Sequence, residues 1–122
     1  MDTIRRPLRF IGTARDDLRT FPKPVRWRIG LALQDAQVGE KHPHAKPLKG
    51  FKGASVLEVI EDWSGDTYLA VYTVRFRHAV YVLHCFQKKS TRGIATTKRD
   101  LDRIHERLQE AEAKDREKEV SP

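Results

Sequence analysis

Apolar positions along this chain fall into two different periods, and the switch between them divides it. Val25, Ile29, Ala32, Leu33 and Ala36 recur at three- and four-residue spacing, which lays them on one stripe of a helix. Lys23-Pro24 opens that helix, since proline suits a first turn, and Gly39 offers its stop, so the pattern predicts a helix over Lys23 to Val38. Upstream, Thr13 followed by Asp16 resembles a capping box and predicts a short helix near Ala14 to Thr20, ended by Phe21-Pro22. Together they form an αα-hairpin. The period then changes: Ser55 to Glu61, Thr67 to Val74 and Ala79 to Phe86 are rich in Val, Ile and Tyr and predict strands. Asp62 to Asp66 is a turn-forming interval, and Arg75 to His78 is too short for a parallel crossover, so the three strands are expected as an antiparallel meander. Residues 40 to 54, interrupted by prolines and glycines, read as a loop. Beyond Gln87 to Gly93, Thr97 and Asp100 repeat the capping pattern, and Leu101, Ile104, Leu108 and Ala111 mark one face of a last helix. The expected class is α+β: two N-terminal helices, an antiparallel meander of three to four strands and a C-terminal helix. Residues 1–113 are expected as one domain and 114–122 as a charged tail, either a solvated helix extension or frayed.

Length and charge narrow the function classes. A chain of 122 residues fits one domain that buries a sizeable core without a staple. The single Cys85 sits in a strand pattern and has no internal partner, which suits a reducing cytoplasm. No stretch has the length of a membrane span, and Met1 to Pro7 leads into no secretory apolar core, so a cytoplasmic protein is expected. The formal charge is +7; Lys98 to Glu119 holds seven Lys/Arg against eight Asp/Glu, which leaves +8 on residues 1–97. That excess points to an anionic partner for the body of the chain, such as nucleic acid.

The segments Lys46 to Gly50 (KPLKG), Val56 to Val59 (VLEV), Tyr68 to Tyr72 (YLAVY), Ala79 to Ser90 (AVYVLHCFQKKS) and Ile94 to Lys98 (IATTK) resemble the RelE/ParE toxin superfamily, in its phage-derived, HigB-like branch. The most specific part is Leu83-His84-x-Phe86-x-Lys88-Lys89-Ser90, and the likeness spans roughly Arg9 to Leu108. The resemblance implies a RelE-like fold, a toxin acting on messenger RNA engaged on the ribosome, no cofactor or metal, and neutralisation by a helix-turn-helix antitoxin. ParE-like relatives poison DNA gyrase instead, and a catalytically disabled binding protein is a third reading. One position departs: after Tyr68 the family carries Arg, associated with substrate phosphate, where this chain has Leu69. Leu69 is therefore expected to lower activity and an arginine there to restore it.

Metal-independent RNA cleavage needs a base for the 2′-hydroxyl, cations for the developing charge and an acid for the leaving oxygen. Lys88 and Lys89, at the end of the third strand, are the first candidates for phosphate contact and proton transfer. A solvated strand end is their plain alternative. His84 suits acid–base work by its ordinary pKa, although alternation groups it with Val80, Val82 and Phe86 as a core histidine. Arg75 shares parity with Leu69 on a regular second strand and is expected to compensate for it in part. Lys46, Lys49, Lys52 and Arg77 are candidates for a phosphate-binding rim, and Tyr68 for base stacking, with Trp27, Trp63, Tyr72 and Tyr81 as further aromatics. His42-Pro43-His44 lacks the additional ligands that would make a metal site.

Overall fold

The computed structural model describes residues 5–53, 55–88 and 96–120. Its elements run β1 (Leu8–Phe10), α1 (Ala14–Arg19), α2 (Lys23–Gln37), β2 (Ala45–Pro47), β3 (Val56–Trp63), β4 (Asp66–Thr73), β5 (Val80–Lys88) and α3 (Lys98–Val120). The predicted helices and meander are present, so the α+β class holds. The sheet is wider than the meander, with five strands in the order β1-β5-β4-β3-β2.

Both additions are three-residue edge strands. β1 pairs parallel with β5, with Leu8 opposite Val80, and β2 pairs antiparallel with β3, with Ala45 opposite Val59. β2 corrects the reading of residues 40–54 as loop alone. Its Pro47 cannot donate to a ladder, but an edge strand tolerates that loss. Between β3 and β4 the expected five-residue interval shrinks to two, because Ser64 (φ 50°) and Gly65 (φ 88°) both take positive φ, the requirement of a type I′ hairpin.

The sheet has a core on each face. Val25, Ile29, Ala32, Leu33 and Ala36 of α2 pack with Leu57, Val59, Ala70, Tyr72, Val80, Val82 and Cys85. Ile104, Leu108 and Ala111 of α3 pack with Val56, Val71, Tyr81 and Leu83 on the opposite face. No described helix is long and apolar enough to cross a membrane.

A register shift between Val71 and Tyr72 breaks the alternation of β5. Val71 pairs with His84 and Tyr72 with Val82, so Leu83 is the extra, bulged residue. Val82 and Cys85 thus share the α2 face, and His84 falls on the α3 face. This corrects the grouping of His84 with Val80 and Val82.

Candidate nucleic-acid interface and a buried histidine

α3 begins where its sequence predicts. The Asp100 backbone N–H donates to Thr97 Oγ1 (3.2 Å), and Thr97 Oγ1 donates to Asp100 Oδ2 (2.8 Å). The other oxygen of Asp100 accepts from His84 Nε2 at 2.9 Å. One turn and more along the helix, Arg107 reaches the opposite ring edge: its Nη1 donates to the bulged Leu83 carbonyl (2.9 Å) and lies 3.4 Å from His84 Nδ1. Arg107 Nη2 also donates to Thr13 Oγ1 (3.1 Å), while Thr13 Oγ1 donates to Asp17 Oδ2 (2.8 Å). Thr13 therefore makes no side-chain cap bond to α1, contrary to the capping-box reading, because its hydroxyl serves Arg107 and Asp17. Gly12 permits this approach: at φ +57° it lies against Arg107, and a Cβ there would stand 2.9 Å from Arg107 Nε.

His84 is buried and its ring stacks on Phe86 at 4.6 Å. Burial holds its pKa below the ordinary histidine value; Asp100 opposes this, and Arg107 and Arg103 reinforce it. Burial alone would raise Asp100, but donation from His84 and Thr97 outweighs it and keeps the carboxyl below its ordinary value. One arrangement satisfies every atom. A neutral imidazole donates from Nε2 to the Asp100 carboxylate and offers Nδ1 as acceptor to Arg107. Arg107 was invisible to the apolar stripe of α3, and Asp100 was legible only as a cap.

The other candidate residues divide between the two ends of the sheet. Lys88 closes β5 opposite Thr67 and is half-buried; Lys89 lies outside the described residues. At the other end, Arg75 has left β4 and its Nε donates to Ser55 Oγ (3.0 Å), beside the loop that carries exposed Lys49 and Lys52. Arg77 is exposed on the β4–β5 connection at that same end. Six residues of strand separate the Thr67–Lys88 pair from Thr73, about 20 Å at ~3.3 Å per residue. Arg75 and Lys88 therefore stand at opposite ends of the sheet, and Arg75 lies beyond the regular β4 on which its parity with Leu69 rests. Arg75 instead joins Lys49, Lys52 and Arg77 in a basic rim. Lys46, mid-face, lies 3.7 Å from the buried Glu58 carboxylate.

Tyr68 is buried on the α2 face, with its ring 4.9 Å from Phe21, so it presents no open face to a base. Leu69 is 0% exposed and stands between Ile60 and Phe86 in the register. Cys85 is buried too, and burial pushes its thiol up to about 12, which leaves it unreactive. His44 and His42 meet edge to face at 5.1 Å, and among the described residues no group of three or more His, Cys, Asp or Glu gathers as for a metal ion.

Comparison with known families decides the ancestry. The family described as "Phage derived protein Gp49-like (DUF891)" matches residues 16–109. The chain belongs to the Gp49-like family. This is a HigB/RelE-like toxin family, in agreement with the resemblance carried by the third strand. No curated protein matches the chain. Among solved structures, this Gp49-like chain is similar to a chain of the toxin–antitoxin complex RelBE2 from Mycobacterium tuberculosis, with 22% identity over 71% of this chain and 95% of that one, at a TM-score of 0.45.

Proposed function

We propose that this Gp49-like chain is the toxin of a type II toxin–antitoxin pair, that it arrests translation by cutting messenger RNA on the ribosome, and that a helix-turn-helix antitoxin neutralises it. The observation that carries the reading is family membership across residues 16–109. The +8 on residues 1–97 supports an RNA partner, with Lys49, Lys52, Arg75 and Arg77 as the rim that tracks phosphates.

In the proposed reaction, Lys88 and Lys89 stabilise the charge that develops on the scissile phosphate. A base removes the 2′-hydroxyl proton, the 2′-oxygen bonds to phosphorus, the bond to the 5′-oxygen breaks, and an acid protonates that leaving oxygen. His84 Nδ1 is the candidate base. It is a free acceptor only when Arg107 withdraws, so activity on this reading requires the first turns of α3 to shift. Leu69 supplies no charge to the phosphate, which leaves the electrostatic work to the lysines and lowers the expected rate.

The test is a translating extract with mapping of message ends, together with co-expression of the adjacent gene product. New message ends that disappear with His84→Gln or Lys88→Ala support the proposal. Inhibition of DNA supercoiling without message cleavage would replace it with the gyrase reading. Recovery of an antitoxin complex from a chain with neither activity would leave a disabled binding protein.

A further inference from the structure

Among the described residues, the exposed large hydrophobic side chains are two tryptophans, Trp27 at 67% and Trp63 at 39%. Both lie on the α2 side of the sheet, away from His84 and α3. Trp63 follows Glu61 by two residues on regular β3, which gives them the same face as Leu57 and Val59. Trp27 precedes Arg28 on α2, whose core stripe points the other way. Buried Glu61 joins the two elements: its Oε2 lies 3.9 Å from Arg28 Nη1 and its Oε1 lies 2.7 Å from His44 Nδ1. The carboxylate thus fixes a cation and an imidazole between strand and helix, with an indole on either element.

The α2 part of this face is basic and open, whereas on β3 Trp63 stands opposite Asp66. Exposed Lys23 and Arg26 flank Trp27, and no acidic residue occurs from Lys23 to Gln34. At Gly30, one turn beyond Trp27, an added Cβ would meet nothing within 4 Å, so the indole stands beside flat, unobstructed helix surface. A groove for an apolar helix needs a contiguous apolar stripe, and here the indoles are separate, Trp27 among cations on α2 and Trp63 opposite Asp66 at the end of β3. Isolated aromatic rings interleaved with Lys and Arg are the construction that stacks unpaired bases and holds their phosphates.

We infer that the α2–β3 face, built on Trp27, Trp63 and the Glu61-anchored Arg28, is a single-stranded RNA-binding platform on the opposite side of the sheet from the proposed cleavage face. It extends the RNA reading above but requires binding alone, not cleavage. Two bases stack on the indoles, and Lys23, Arg26 and Arg28 take the phosphates.

The experiment uses the full chain, an oligouridylate of about 12 nucleotides and tryptophan emission across a salt series. Saturable quenching is expected, and Trp27→Ala and Trp63→Ala are each expected to weaken binding about tenfold. Lys23→Gln with Arg26→Gln is expected to lower the slope of log affinity against log salt by about 1.4. Affinity unchanged in folded tryptophan variants overturns the platform. So does equal quenching by polyglutamate, which marks a surface for acidic protein. Message cleavage in the translating extract is scored on the same proteins. Cleavage by the parent chain with tryptophan-independent oligonucleotide binding refutes the platform and spares the toxin reading. Tryptophan-dependent binding without any cleavage does the reverse.

Discussion

At His84, the ring donates from Nε2 to Asp100 and faces Arg107 across Nδ1, so a second proton on the ring has no acceptor to meet. Protonation sets an imidazolium against a guanidinium in a buried space. The folded pKa lies below the ordinary 6.5, so the unfolded chain takes up the proton first. The stability contributed by neutral His84 is therefore full above about pH 6.5 and is lost as pH falls toward the folded value. Asp100, also lowered, adds loss in the same direction below its ordinary 3.8. Urea midpoints at about pH 7.5 and pH 5.5 should show the parent chain weaker in acid, and His84→Gln should narrow that difference. An equal drop in both proteins would assign the acid sensitivity elsewhere. At Leu69 the question is whether an arginine restores a lost contact. The side chain is fully buried, so Leu69→Ala is expected to cost about 2–5 kcal/mol, and Leu69→Arg to destabilise the chain without gaining cleavage, because it desolvates a guanidinium. Greater cleavage by a stably folded Leu69→Arg protein would show that the position faces substrate.

The element on which this chemistry depends is α3, held at both ends by aspartates. Asp100 binds His84 near its start; Asp115 accepts from the His78 backbone N–H (3.0 Å) and from the Tyr81 hydroxyl (3.1 Å). Burial and the Asp115 bond push Tyr81 up to about 12. The helix past Ala113 is thus pinned to the sheet, where its charge pattern suggested only a solvated extension or a frayed end. Asp115→Ala should deprive the buried Tyr81 hydroxyl and the part-buried His78 N–H of this acceptor and cost about 1–3 kcal/mol in thermal or urea unfolding. A change within about 0.5 kcal/mol would place the residue among ordinary surface positions. The elements that the sequence revealed were those with long periods: the stripe of α2, the three central strands and the cap and stripe of α3. Two short edge strands and one bulge were not legible. Three residues are too few to show a period, and Leu83 looks like any other apolar strand residue until its partner register is known. The bulge is also why His84 was read with the wrong neighbours, and why Arg107, which uses the freed Leu83 carbonyl, escaped notice.

Across the whole molecule, charge is divided unequally, with +8 on residues 1–97 and nearly balanced signs on α3. A polyanion that follows this field has two places to bind: the rim of Lys49, Lys52, Arg75 and Arg77, and the α2 face with Lys23 and Arg26. These lie on different parts of the surface, so their contributions to phosphate binding should add. Each phosphate neutralised on a single strand releases counterions worth about 0.7 in the slope of log affinity against log salt. Lys49→Gln with Lys52→Gln should therefore lower that slope by about 1.4 for a message fragment long enough to span the rim, with little change in stability, since both side chains are exposed. The indole variants on α2 should leave this loss intact, because they remove stacking and no charge. A double lysine variant whose salt slope matches the parent chain would mean that Lys49 and Lys52 only solvate the β2–β3 loop, and the search for the phosphate path would move to Lys88 and the far end of the sheet.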